Sequence, residues 1–360
     1  MTITEAEKLI EKTKTEIKPL NGKILKEASE KMDGLLKPPG SLGIVESIGI
    51  KLAAIQETLT PSSEKKLSLI YAADHGIATE GVTASPQFVT AIMVKAFIEG
   101  KAGINVLAGQ AGSIIKVYDV GIASTYTPPE GLTVNKIRSG SGNFIKEKAM
   151  SREETILAVA YGISSAKEAI KETGAVMSGI GEMGIGNTTP AAALTAVFTG
   201  TEPSVVTGSG TGVGQETIKR KIQVIREALK LHNPDPADAI GTLSAVGGIE
   251  IAAMCGAMLG AASSDNLVII DGFISGAAAL AAAVLVPESK ERMLLSHLSA
   301  EPGHRIMASE MELKPVLDLG FRLGEGTGAA AVMPLAAAGA DLLSKMGTLQ
   351  EELIKLEDPS

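Results

Sequence analysis

The chain has 360 residues and is 45% hydrophobic, enough for a large core, which excludes a disordered protein. A formal net charge of -8 argues against a nucleic-acid partner, because phosphate backbones are held mainly by Lys and Arg. The lone cysteine, Cys255, has no partner for an intramolecular disulfide and suits a reducing compartment.

The N-terminus, Met1-Thr-Ile-Thr-Glu-Ala-Glu-Lys8, lacks a basic stretch followed by an apolar one, so no targeting segment and a cytoplasmic location are expected. Helices are expected at Asn21–Leu36 and Leu42–Leu59. Pro38 and Pro39 end the first, and Ser41 is placed to N-cap the second. From Lys65 onward, short apolar runs alternate with helical stretches. Strands are expected at Leu67–Ala72, Ile114–Val120, Ala175–Ile180, Ser204–Thr207, Leu267–Ile270 and Met293–Ser296. Between them, helices are expected at Pro86–Glu99, Arg152–Lys171, Pro190–Phe198, Gln215–Leu231, Gly248–Gly260 and Ser275–Leu285. The longest apolar stretch, Phe273 to Pro287, is shorter than the ~18–20 residues of a spanning helix, so it reads as a buried helix and no membrane partner is expected. The chain returns to helix at Ala329–Met346 and beyond.

Short β-branched runs separated by helices mean βαβ units, an α/β fold with a mostly parallel sheet. The length allows about two domains of roughly 100–200 residues. The division expected is an α/β unit over residues 61–328 and a small helical unit from residues 1–60 plus 329–360. With 3% aromatics, no Trp and 40 Gly, the core must be aliphatic, with backbones brought close by Gly and Ala.

In open parallel sheets, ligands bind beyond the carboxyl ends of the strands. Each expected strand runs into polar and glycine residues there: Asp74-His75-Gly76, Asp119-Val120-Gly121, Gly179 to Thr189, Gly208 to Gly214, Asp271-Gly272-Phe273, and His297 to His304. The turn Gly184-Ile185-Gly186-Asn187-Thr188-Thr189 before a helix suits an anion, through close backbone approach and free N–H groups. The series from Gly208 through Gly210 to Gly214 has the same character. The alternative for both is a tight strand-to-helix turn needing positive φ. Gly179-x-Gly181-x-x-Gly184 has the form of a dinucleotide fingerprint, but the acidic residue about 20 positions later, Glu202, precedes the next strand instead of ending it. His297, His304, Asp74 and His75 lack metal-ligand spacing, so no metal and no cofactor is expected. Glu325, a lone acid between glycines in Arg322-Leu-Gly-Glu-Gly-Thr-Gly328, is open to two readings. It is a general base with a raised pKa, or a cap for the helix beginning near Thr327. Glu182 is likewise an acid in a glycine turn.

At these residues the sequence resembles the nicotinate-nucleotide–dimethylbenzimidazole phosphoribosyltransferase family. The segments that carry the likeness run almost end to end. They include Asp33-Gly-Leu-Leu-Lys-Pro-Pro-Gly-Ser-Leu-Gly43, Ala73-Asp-His-Gly76, Gly181-Glu-Met-Gly-Ile-Gly-Asn-Thr-Thr-Pro190, Val246-Gly-Gly248, Asp271-Gly-Phe273, Ser296-His-Leu-Ser-Ala-Glu301 and Arg322 to Ala330. The resemblance implies a Rossmann-like sheet, a helical domain from both termini, and a homodimer, or a heterodimer with a paralogue where the acceptor is a phenol. It implies Glu325 as general base, Glu182 as a second acid and Lys221 as an active-site lysine. It also implies phosphate on Gly184–Thr189 and Gly208–Gly210, Asp271 and Ser299 at the ribose, and Ser85, Met93, Met183 and Leu323 around the base. The implied substrates are small molecules, nicotinate mononucleotide and an aromatic base. The readings that rival it are an acceptor that is a phenol or purine, a non-catalytic nucleotide sensor, and an NAD-dependent dehydrogenase. Met at positions 93 and 183 stands where the resemblance leads one to expect Gln and Leu, which bears on the base accepted.

Overall fold

A computed structural model describes residues 1–210 and 212–357. Thr211, inside the expected glycine turn, and residues 358–360, in the expected helical unit, lie outside the described residues. Six strands form one parallel sheet: β1 (Lys66–Ala73), β2 (Ser113–Gly121), β3 (Thr133–Val134), β4 (Met177–Met183), β5 (Leu267–Ile270) and β6 (Met293–Leu295), in the order β3-β2-β1-β4-β5-β6. Helices cover both faces, so the inner strands read as near-continuous apolar runs, and β1 is buried over its last seven residues. The strand order reverses between β1 and β4, which places a crevice above their carboxyl ends. This is the α/β, Rossmann-like architecture expected.

Leu67, Leu69 and Tyr71 of β1 face the helices Arg152–Thr173 and Ile249–Ala262, while Ile70 and Ala72 face Val89–Ile98 and Gly103–Ala111. The aliphatic, glycine-rich composition is used between helices. A Cβ at Gly162 would fall on the Ala253 carbonyl, and one at Gly256 on the Val159 carbonyl, so only glycine lets these two helices touch. On the other side, Ala329 and Met333 of the helix Thr327–Lys345 pack under Met177 and Ile269, and the far half of that helix meets Ile44–Ile55, where Gly49 lies against Gly339. Thr327–Lys345 is long and apolar enough to cross a membrane by length and composition, but its apolar face is buried in this core. The first helix, Ile3–Glu16, joins the main core through Ala6 and Ile10.

Three local expectations are corrected, and one short strand is added. Ser204–Thr207 is not a strand: Pro203–Val206 forms one helical turn, because Pro203 at its first position lacks the N–H a ladder needs and has its φ preset for helix. β4 runs later than Ala175–Ile180, because Gly179 and Gly181 belong to the strand and not to a turn. Ser41 does not cap the next helix. That helix starts at Ile44 after Gly43, whose φ of 54° favours glycine, and Glu46 reaches back to accept from the Leu42 N–H at 2.8 Å. The two-residue β3 was not expected, being too short for any periodicity.

Candidate active site

A cavity of about 270 Å³ opens at the carboxyl edge of the sheet, over the crevice between β1 and β4. It is lined by Ser85, Met93, Glu182, Met183, Gly184, Ile185, Gly186, Asn187, Thr188, Gly210, Lys221, Asp271, Ser299, Leu323 and Glu325. The expected site residues thus converge, with two exceptions. Thr189 is fully buried and does not line the cavity, in a helix that packs among its neighbouring helices. Gly208 does not line the wall, though its carbonyl accepts from Lys221 Nζ at 3.4 Å.

The Gly184–Thr188 turn joins β4 to the helix Thr188–Thr199. Gly186 has φ 94° and packs close to Ala78, two reasons for glycine at one position. Among the described residues no side chain caps this helix; the Thr189 N–H donates to the Gly186 carbonyl at 3.1 Å and Pro190 has none, so the Thr188 N–H is the first-turn donor left at the cavity wall. The Asn187 amide is already committed, donating to the Glu182 carboxyl. Beside the turn, Lys221 from the helix Gln215–His232 donates to Thr188 Oγ1 at 2.8 Å. Burial lowers the ammonium's pKa, and the Glu301 carboxylate acts against that. Glu301, which the sequence reading left out of the site, accepts from the Gly210 N–H at 2.6 Å. Burial raises its carboxyl, against the pull of Gly210, Lys221 and Gly208.

At the other end of the cavity stand two acids. Burial pushes Glu182 up to about 8, helped by the nearby Glu250 and Asp271 carboxylates and opposed by the Asn187 amide and the Glu325 N–H. Burial pushes Glu325 up to about 7, against an N–H donated by Ile104 and with Asp271 adding to the rise. Glu325 holds φ 64°, an uncommon conformation for a residue with a side chain, and Oε2 is buried with no hydrogen-bond partner among the described residues. Met93, Met183 and Leu323 give the same end an apolar wall.

Glu325 is not the helix cap. The helix Thr327–Lys345 is capped from across the sheet by Asp271, whose carboxylate accepts from the N–H groups of Gly328 at 2.6 Å, Gly326 at 3.0 Å and Ala329 at 3.1 Å. Burial raises the Asp271 carboxyl, and His297 with these three donors opposes the rise. Gly181 explains how the two acids meet: a Cβ there would strike the Gly326 N–H and the Glu325 carbonyl carbon. The fingerprint-like Gly179 and Gly181 therefore serve strand-to-helix packing rather than a pyrophosphate.

Not every strand end faces the cavity. Asp119 accepts from the Ile122 and Gly121 N–H groups and the Tyr126 hydroxyl, and Asp74 from the Ala123 N–H, so both organise loops. His75 pairs with Glu250, and His304 Nδ1 accepts from the Ser299 N–H at 2.9 Å. Besides Glu301, the sequence reading also left out His297, Arg322 and Phe273, which line the cavity. His297 and Glu301 stand in the polar run after β6, and Arg322 directly precedes Leu323 in the segment that carries Glu325; these are the signals that point to them.

Residues 17–354 match the family described as "Phosphoribosyltransferase". The chain is 46% identical over 343 residues to the nicotinate-nucleotide–dimethylbenzimidazole phosphoribosyltransferase of Citrifermentans bemidjiense, covering 95% of this chain and 98% of that protein. It is 46% identical over 344 residues to the protein of the same name in Desulforamulus reducens, with the same coverage. The crystal structure of CobT from Thermus thermophilus superposes with a TM-score of 0.88 at 41% identity, covering 92% of this chain and 98% of that one. A second Thermus thermophilus structure, carrying the full enzyme name, matches with a TM-score of 0.88 at 39% identity over 93% and 99% of the two chains. With the family match spanning nearly the whole chain and the fold agreeing from end to end, this protein belongs to that phosphoribosyltransferase family.

Proposed function

We propose that the protein transfers the 5-phosphoribosyl group of nicotinate mononucleotide to 5,6-dimethylbenzimidazole, releasing nicotinate and the α-riboside 5′-phosphate used in cobalamin lower-ligand assembly. The observation that carries this reading is the pairing, in one cavity, of an anion seat with two buried acids. The seat is the Gly184–Thr188 turn with Lys221; the acids are Glu325 and Glu182, raised to about 7 and about 8. The relatives' shared name supports it.

On this reading, the turn and its helix N-terminus hold the phosphate while Lys221 adds a positive charge beside it. Asp271 and Ser299 face the ribose. The base stacks among Met93, Met183, Leu323 and Ser85, an adaptable apolar wall that suits a methylated benzimidazole. Ionised Glu325 takes the N–H proton of that ring as the opposite nitrogen bonds to the anomeric carbon from the α face. The bond to nicotinate breaks on the β face, and its electron pair returns to the pyridine nitrogen, with inversion. Protonated Glu182 keeps a second negative charge out of the pocket and has a proton to donate as a hydrogen bond. Holding both rings across one carbon supplies much of the rate.

A homodimer is part of this proposal, supported by the exposed apolar side chains Phe88, Ile92, Val106 and Leu323. So are a cytoplasmic location, supported by the buried free thiol of Cys255, and the division into an α/β unit and a helical unit from the termini. Incubating the protein with nicotinate mononucleotide, with and without dimethylbenzimidazole, tests the reaction. Base-dependent nicotinate release is expected, and its absence would sink the reading.

A further inference from the structure

Behind the Gly184–Asn187 turn lies a pair of side chains that the reaction as written does not use. His75, at the end of β1, and Glu250, in the first turn of the helix Ile249–Ala262, are both fully buried, and His75 Nε2 lies 2.7 Å from Glu250 Oε1. Neither residue lines the cavity. The remaining polar atoms, His75 Nδ1 and Glu250 Oε2, are buried without a hydrogen-bond partner among the described residues. Unpaired buried polar groups are costly, so the interior holds this pair at a penalty to stability.

The backbone is shaped around it from two sides. A Cβ at Gly184 would sit 2.6 Å from the Ala73 carbonyl oxygen of β1, and 3.0 Å from His75 Nε2 and 3.1 Å from Glu250 Oε1, the two atoms that bond each other. At Gly248, a Cβ would run into His75 Cε1 and come within 2.9 Å of Glu250 Oε2. Gly248 has φ -147°, an extended conformation open to any residue, so contact with the pair is the reason a side chain is unwelcome there. The start of the turn therefore rests on the end of β1 and on the hydrogen-bonded pair together.

We propose that the buried His75–Glu250 pair is a positioning element of the transfer site, forming the floor on which the Gly184–Asn187 turn sits and presenting a fixed carboxylate to the rear of Glu182. This rests on the transferase reading given above. The groups facing Glu182 are Glu250 from its helix, Asp271 from the end of β5, and the Glu325 N–H from the loop before Thr327–Lys345. Asn187 faces it from the turn, and Tyr71 is its register partner on β1. Among these, Glu250 and Asp271 favour the protonated form of Glu182, while Asn187 and the Glu325 N–H favour the ionised form. Asp271 is committed to capping a helix, which leaves Glu250 as the charge whose removal isolates the effect.

Glu250→Gln keeps the size and a hydrogen bond to His75 but removes the charge. Measured as base-dependent nicotinate release against pH, the high-pH limb set by Glu182 should move down by about one unit. The KM for nicotinate mononucleotide should stay close to wild type, because the floor is still filled. An unmoved limb in the folded variant overturns the proposal. Should that variant fail to fold, Gly248→Ala decides, since it pushes on the pair from the side away from the cavity. A KM for the nucleotide raised on the order of tenfold, with kcat retained, supports the floor. An unchanged KM overturns it. Wild-type protein that releases no nicotinate would sink the transferase reading and this inference together, whereas an active wild type with either overturning result sinks this inference alone.

Discussion

The Asn187 side-chain amide donates to the Glu182 carboxyl, which ties the anion-binding turn to the acid at the end of β4. The two ends of the cavity are therefore coupled through one hydrogen bond, and a substitution in the turn reaches the acid as well as the phosphate.

Asn187→Ala removes a donor that lowers the Glu182 pKa. The high-pH limb of the transfer rate should move upward, and nicotinate mononucleotide affinity should change less than it does in Gly186→Val. At position 186 a φ of 94° and contact with Ala78 oppose any side chain, so the turn itself distorts and nucleotide binding weakens. Isothermal titration of both variants with the nucleotide, beside their pH–rate profiles, makes the comparison. Equal nucleotide losses would show that Asn187 acts on the phosphate instead.

Glu325→Gln keeps the shape of the side chain but cannot accept a proton. A general base contributes about 10²–10⁴-fold, so kcat should fall in that range while nucleotide affinity is retained. The melting temperature should not drop, because Asp271 supplies the cap of Thr327–Lys345. Asp271→Ala should show the reverse emphasis in thermal unfolding, losing about 1–3 kcal/mol with its buried charge-assisted bonds. A Glu325→Gln protein with normal turnover would remove Glu325 from the chemistry.

The pH dependence follows from the two acids. Glu325 must be ionised to take a proton, so the rate should rise as pH passes about 7. Glu182 is protonated below about 8, and its ionisation beside Glu325 should bring the rate down above that value. A bell with its top between about 7 and 8 is expected in kcat/KM. For stability the sign is set by both folded pKa values lying above the ordinary 4.5. The unfolded chain loses these protons first as pH rises, so the stabilisation is whole below about 4.5 and gone above about 8. Glu182→Gln should therefore raise the melting temperature relative to wild type at pH 9 more than at pH 5, which scanning fluorimetry reads directly.

Met93 belongs to the apolar wall at the acids' end of the cavity, half-buried and without a polar group. Met93→Gln adds a donor and an acceptor to that wall. The order of preference among dimethylbenzimidazole, a phenol and a purine should change, measured as nicotinate release over the panel of acceptors. An unchanged order would take Met93 out of the base pocket.

β1, β2, β5 and β6 were legible as short apolar runs because strands buried on both faces need little else, and helices such as Arg152–Thr173 carried their own caps. Glu182 and Glu325 stood out as acids among glycines, and the spaced segments from Asp33 to Ala330 pointed to the family. What the linear sequence left open was every feature made by residues far apart in the chain. Asp271 caps a helix more than fifty positions away, so Glu325 alone could be read as cap or base until the three backbone donors were seen to face Asp271. Gly179 and Gly181 looked like a nucleotide turn because the helix pressing on them lies at the other end of the chain. Thr189 and Asn187 sit in the right segment, yet one turns into the core and the other is committed to Glu182. The raised pKa values of the two acids are likewise products of burial and of charges brought in by Glu250 and Asp271. Desolvation and Coulomb fields depend on distance through space, and only the folded chain sets those distances.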